Sequence, residues 1–249
     1  MSTQSGKIEK LINEGYEFKL GDYLNRGFKL FAQDAGPLIG FGVILALLAL
    51  SPTILQFVNG SFGSPDPSDT LMYSLLFPGI VGLLQLPLIA GLYRYIHKLA
   101  RNEERSFSDF FSGFGYWGSL LVMGFVMGLF LLLGTMLLVL PGIYLLIGYT
   151  LALPLLVLED MDFWTAMETS RKIVTKNWWY FLLFYIIVAI VSSLGYLALI
   201  VGIAATMPIG YCIQYAAYED IIQGASDTFE DKIEEIGRDD DDIFHGIGG

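Results

Sequence analysis

Long apolar stretches without a single charged side chain alternate along this chain with short polar ones. The charge-free runs are Pro37 to Val58, Leu71 to Tyr93, Trp117 to Leu158 and Trp178 to Tyr218. An α-helix rises 1.5 Å per residue, so about 20 apolar residues cross the roughly 30 Å of bilayer hydrocarbon. The first two runs therefore hold one span each and the last two hold two each, which gives six. The third run is expected to reverse at Pro141-Gly142, a turn-forming pair near its middle, and the fourth between Gly195 and Gly202. Asn59 to Thr70, with Gly60, Gly63, Pro65 and Pro67, reads as a solvated loop between the first two spans.

Paired as hairpins, the spans show a weak threefold repeat. A short amphipathic stretch precedes each hairpin: Leu20, Tyr23, Leu24, Phe28 and Phe31; then Phe107, Phe110, Phe111, Phe114 and Trp117; then Phe163, Met167, Ser170 and Val174. Spacings of three and four put these side chains on one stripe of a helix. Asp22, Ser106 and Asp162 are the expected helix starts, because each can accept a hydrogen bond from an orphan backbone N–H. Every second span carries a proline, at Pro87, Pro154 and Pro208. The predicted fold class is an all-α polytopic membrane protein of six transmembrane helices, arranged as three hairpins, each preceded by an amphipathic interfacial helix. Its organisation is an N-terminal segment (1–34), a transmembrane domain (35–220) and an acidic tail (221–249). Asp227 to Glu230 resembles a capping box for a short helix within that tail, and the rest is expected to be disordered.

Charge sets the orientation. All 14 basic residues lie outside the charge-free runs. Five precede the first span, four (Arg94, Lys98, Arg101, Arg105) follow the second, three (Arg171, Lys172, Lys176) separate the fourth from the fifth, and Lys232 and Arg238 are in the tail. With six spans all of them share one side, which predicts that both termini are cytoplasmic. Trp117, Trp164, Trp178 and Trp179 fall at that same boundary, as an interfacial belt requires. No cleavable signal peptide pattern precedes the first span.

Composition excludes an ordinary soluble globular protein: 54% of the 249 residues are hydrophobic and 16% charged, with a mean hydropathy of +0.58. The net charge of −11 is concentrated in the last 25 residues, which hold nine acids and two bases. No basic surface is available for nucleic acid. Cys212 is the only cysteine, so no intrachain disulfide forms, and its apolar run makes it a packed thiol.

No constellation of catalytic, metal or nucleotide-binding residues stands out, and no cofactor is expected. The spans lack ionisable groups of the kind that couple pumps and transporters to ions. Gln85, Thr135, Thr150, Ser192, Ser193, Thr206 and Gln214 are the polar residues within them, read as helix-to-helix hydrogen bonds rather than a pore. Gly124 and Gly128 form a G-x-x-x-G pair suited to close helix packing, within the protein or with a second copy. The candidate chemistry lies at one membrane face, where Glu159-Asp160 and Glu219-Asp220 end the fourth and sixth spans and Arg94 and His97 end the second. Such a cluster could hold a metal or move a proton, whereas the structural reading has the acids capping helices or pairing with nearby bases.

Pro154-Leu155-Leu156-Val157-Leu158-Glu159-Asp160, followed by Ala166, Ser170, Lys176-Asn177 and Trp178-Trp179, resembles the signature of a bacterial six-span family. That family includes the membrane domain attached to some glycerophosphodiester phosphodiesterases. Phe18 to Leu24, with Gly27-Phe28, fits the same pattern. The resemblance implies a bacterial inner-membrane protein and carries no catalytic residue, since about 30 residues follow the last span where a hydrolytic barrel needs roughly 200 or more. Three functions follow. The first is a non-enzymatic scaffold or accessory subunit that binds lipid, a membrane protein partner or a second copy of itself. The second is a transporter or channel for a neutral or lipidic solute. The third is an interfacial lipid enzyme using the acidic pairs.

Overall fold

The computed structural model describes residues 6, 8–9, 11–13, 15–58, 76–137, 139–197 and 202–222, most of which are helical, with no strand among them. The helices are α1 (Leu20–Gln33), α2 (Ala35–Val58), α3 (Phe77–Ala100), a 3-10 segment (Phe107–Tyr116), α4 (Trp117–Leu137), α5 (Val139–Gly148), α6 (Ala152–Leu158), α7 (Phe163–Lys176), α8 (Trp178–Leu197) and α9 (202–222). Five stretches among the described residues are long and apolar enough to cross a bilayer: Ala35–Val58, Phe77–Ala100, Phe107–Leu137, Val139–Leu158 and Trp178–Gly195. The chain is a membrane-spanning protein. The stretch expected to be the sixth span is helical as α9 but is not among these five, and it is less apolar because it carries Gln214, three tyrosines and a polar end at Glu219-Asp220. The loop at Asn59 to Thr70, the helix and disorder expected after residue 222, and the turn at 198–201 lie outside the described residues.

Prolines and glycines shape the spans. Pro52 lies within α2 and cannot donate to the Leu48 carbonyl, and the Ser51 hydroxyl takes that acceptor at 2.7 Å. The reversal expected at Pro141-Gly142 does not fall on that pair, because α4 ends at Leu137 and α5 already begins at Val139. Pro141 is instead the third residue of α5, where an amide hydrogen has no intrahelical partner to lose. Gly142 lies against α4, where a Cβ would overlap the Thr135 side chain and Gly134 is the facing residue.

The fourth expected span is two helices, broken at 149–151. Pro154 explains the break, because it has no N–H for the carbonyl of Thr150 and its ring crowds that group. Two of the freed backbone groups are recovered by one side chain. Ser170, fully buried on α7, donates from Oγ to the Gly148 carbonyl at 2.7 Å and accepts from the Leu151 N–H at 3.0 Å.

The first and third amphipathic stretches are separate helices, as expected, and all three pack along other helices of the chain. The second is a 3-10 segment that runs along α3 and continues into α4, so the span it opens is Phe107–Leu137. Its approach is backbone to backbone: a Cβ on Gly91 would overlap the Phe110 carbonyl, and one on Gly113 would overlap the Pro87 carbonyl. Phe110 stacks between Phe41 and Tyr95, with ring centroids 4.3 Å and 4.0 Å away. The third stretch, α7, lies along the broken span through Ser170. The first, α1, lies along α9, where Gly27 leaves no room for a Cβ beside Ile213. Each stretch thus packs on the helix that precedes it in the repeat, and the first packs on the last. Large apolar side chains on the outer faces stay exposed, among them Phe125, Met136 and Leu137 of α4 and Trp179 and Ile190 of α8. In a bilayer these meet lipid.

Helix starts agree in two of three places. Asp162 caps α7 by accepting from the backbone N–H groups of Trp164 and Thr165, both at 3.1 Å. Ser106 precedes the 3-10 segment, and its N–H donates to Asp109 at 2.8 Å. Asp22 is not a cap: α1 begins at Leu20, and Asp22 lies in its first turn.

Candidate functional site

The acidic pairs and the end of α3 meet at one end of the helix bundle, held by tyrosines. Tyr218 donates to Glu159 at 2.6 Å, Tyr116 to Asp160 at 2.6 Å, Tyr215 to Glu219 at 3.3 Å, and Tyr23 to Asp220 at 2.9 Å. Arg26 of α1 forms an ion pair with Glu219. Three of these four phenols reach their acid from another part of the chain. The bonds therefore tie α1 to α9, the 3-10 segment to the turn after α6, and α9 to that same turn.

The basic members of the cluster join the same network. Arg94 donates to the Tyr116 hydroxyl at 3.3 Å and places its guanidinium 5.5 Å from the centre of that ring. His97 Nδ1 lies 2.9 Å from the Tyr215 hydroxyl. That hydroxyl has one proton, which it gives to Glu219, so Nδ1–H is the donor in this pair. Asp160 adopts a left-handed conformation with φ of +49°, as does Asn102 at +54°. Asn102 closes α3 with a pair of terminal bonds, from its own N–H to the Leu99 carbonyl and from the Glu103 N–H to that of Lys98.

A fifth acid, absent from the predicted cluster, has the same chemistry. Asp34 joins α1 to α2 and accepts from Tyr95 at 2.5 Å and from Arg105 at 2.7 Å. Burial opposes its ionisation, but those two donors together hold its carboxyl below the usual range. On α7, Arg171 grips Glu168 at 2.7 and 2.9 Å, with Lys172 at 3.4 Å, and Arg171 above all holds the Glu168 carboxyl low. Asp162 is likewise lowered, by its bonds from Thr165 first. Burial pushes the Tyr23 phenol up, so it stays a proton donor to Asp220.

Among the described residues no group of three or more His, Cys, Asp or Glu is placed to hold a metal ion. The run Asp239 to Asp242 lies outside them, as does His245. Gly124 faces the side chains of Leu83 and Leu86 on α3, whereas nothing of the chain lies within 4 Å of a Cβ placed on Gly128. Cys212 is buried among apolar neighbours, as expected.

The polar residues inside the spans divide in a way the sequence did not foresee. Thr135, Thr150 and Ser193 bond carbonyls of their own helix. Three join helices as expected: Thr206 donates to the Ser192 carbonyl at 3.0 Å, the Gln214 side-chain oxygen accepts from Tyr93 at 3.0 Å and Tyr185 at 3.1 Å, and the Thr150 side chain also pairs with the Tyr185 phenol. The Gln85 amide nitrogen is buried without a partner, and so is the Trp178 indole N–H. Tyrosine was the missed signal. It supplies the donor for every acid of the predicted cluster. Phenols three or four residues from a helix-ending acid, such as Tyr215 before Glu219, were visible as a pattern.

No family model matches the chain, and no curated protein or solved structure does.

Proposed function

We propose that this chain is a non-enzymatic scaffold or accessory subunit of the cell membrane, in a bacterium the inner membrane. It crosses the bilayer six times as three hairpins, with both termini in the cytoplasm, and binds a partner protein or lipid through its spans and the polar end of the bundle. The proposal includes kinship with the six-span family of phosphodiesterase-linked membrane domains. One observation carries the reading: Glu159, Asp160, Glu219 and Asp220 each accept a tyrosine hydrogen bond, and the bonds link separate elements. Acids bound in this way hold helices together. A reactive site would leave at least one of them aimed into a cleft with its lone pairs uncommitted.

Two measurements test it. A reporter active only in the cytoplasm should work when fused after Arg105, Lys176 or residue 249 and fail within the Asn59 to Thr70 loop. Activity in that loop would overturn the six-span orientation. Glu159→Gln and Glu219→Gln should each lower stability by about 1 kcal/mol or less, since an amide oxygen still accepts the phenol bond and Arg26 is largely exposed. Neither the parent nor a variant should gain thermal stability from added divalent ions. An ion-dependent rise in the parent that disappears in either variant would favour a metal or catalytic site.

A further inference from the structure

A cavity of about 240 Å³ lies in the cleft between α2 and α8, with α9 as its floor. Ala46, Ala49 and Leu50 form one wall, Ser192 the other, and Tyr211 and Gln214 stand on the floor. Small residues make the room. A Cβ on Gly210 would come within 3.1 Å of the Ser192 hydroxyl and narrow the space. From Ile203 to Gln214 the floor extends about 16 Å along the helix axis. Its polar end stops short of the Glu219-Asp220 boundary, so the cavity lies at hydrocarbon depth. Ala49 is exposed at its edge, which opens it sideways, toward lipid.

Its chemistry is selective. No acidic or basic side chain that is charged at neutral pH lines it among the described residues. A phosphate or an ammonium group placed there would be a desolvated charge with no counter-ion, which is heavily penalised. Yet the lining is not purely apolar. The Gln214 oxygen is committed to two phenols, which leaves its amide N–H groups as donors, and among the described residues no hydrogen bond engages the hydroxyls of Ser192 and Tyr211. The volume is below the roughly 300 Å³ at which pockets enclose a drug-sized molecule, so the cavity accepts one end of a ligand whose remainder stays in the bilayer.

We propose that this cleft binds a neutral, oxygen-bearing lipid of the diacylglycerol type, with its ester carbonyl or free hydroxyl paired to Gln214, Tyr211 and Ser192 and its acyl chains left among the surrounding lipid. The proposal rests on the membrane-spanning character of the chain and is independent of the scaffold reading and of the orientation.

Photolabelling tests it. The full chain is reconstituted in phosphatidylcholine vesicles containing a diazirine-bearing diacylglycerol, irradiated, digested and mapped by mass spectrometry. Adducts should concentrate at residues 46–50, 192 and 203–214. Unlabelled diacylglycerol should reduce them at least about fivefold, and phosphatidic acid with the same chains should not. Ala49→Phe, which blocks the mouth from an exposed position, should reduce labelling to a similar extent while the melting temperature stays near the parent's. Ser192→Ala, which removes the hydroxyl at nearly constant volume, should weaken labelling in the same direction and replaces the first variant if that one fails to fold. Adducts spread evenly over the lipid-facing side of α4, equal competition by phosphatidic acid, or undiminished labelling in a folded variant would each overturn the proposal.

Discussion

Ser170 holds a position that hydropathy patterning reads as part of an apolar stripe, yet its hydroxyl is what makes a broken span tolerable. The Gly148 carbonyl and the Leu151 N–H would otherwise face a buried, water-free interior, where an unsatisfied backbone group costs about 1–3 kcal/mol. Ser170→Ala leaves the volume nearly unchanged and orphans both groups. We expect it to destabilise the protein in detergent by that order. Thr175→Ala, on the same helix but exposed, removes a bond to the Arg171 carbonyl and one to the Tyr144 hydroxyl, both of which water can replace, and it should change stability by about 0.5 kcal/mol or less. Equal effects at the two positions, read by thermal unfolding, would show that the Ser170 bridge is not what stabilises the break.

At the level of elements, glycines mark where two helices approach through their backbones. Gly113 meets backbone atoms of Pro87 and Gly91, which cannot yield as a leucine end can, so Gly113→Ala should cost about 1–3 kcal/mol by overpacking. At Gly128 a methyl group meets open space, and alanine there should be neutral or stabilising by up to about 1 kcal/mol through helix propensity. The two variants, compared by melting temperature, separate contact glycines from those whose spacing alone suggested contact. The same contrast explains what was legible beforehand. Spans, stripes and the Asp162 cap follow from local periodicity and local hydrogen bonding, which a sequence displays. The break at 149–151 depends on Pro154 and on a distant serine that rescues it, and the 3-10 segment runs along α3 because two glycines twenty-two positions apart allow it. Those pairings are non-local. Pro141 misled for a related reason, since the same residue ends one helix or starts another according to where the preceding chain stops. The acids of the candidate site were found, but their phenol partners on other elements were not.

For the whole molecule, the three amphipathic stretches close a ring, each lying on the helix before it and α1 lying on α9. Polar contacts at the charged end contribute to this arrangement, the Asp34 link to Tyr95 and Arg105 between elements and the Asp162 cap and Glu168 pairs within α7, and acid should therefore loosen it. Asp34, Asp162 and Glu168 all have carboxyls held below their ordinary values of 3.8, 3.8 and 4.5. A depressed folded value means that the native state binds fewer protons than the unfolded chain, so stability rises with pH across the interval between the two values. The contribution is complete above the ordinary values and is lost as pH falls through the lowered ones. Asp34 should weigh most, because its side chain is 21% exposed against 36% for Glu168, whose ion pairs solvent screens more strongly. Melting temperatures taken from about pH 7 to about pH 3 should fall with acid in the parent. Asp34→Asn should melt lower than the parent at neutral pH, respond less steeply to acid, and converge with it at the acid end. A variant that keeps the parent's full slope would place the acid sensitivity elsewhere and remove Asp34 as the joint between α1, α3 and the Arg105 turn.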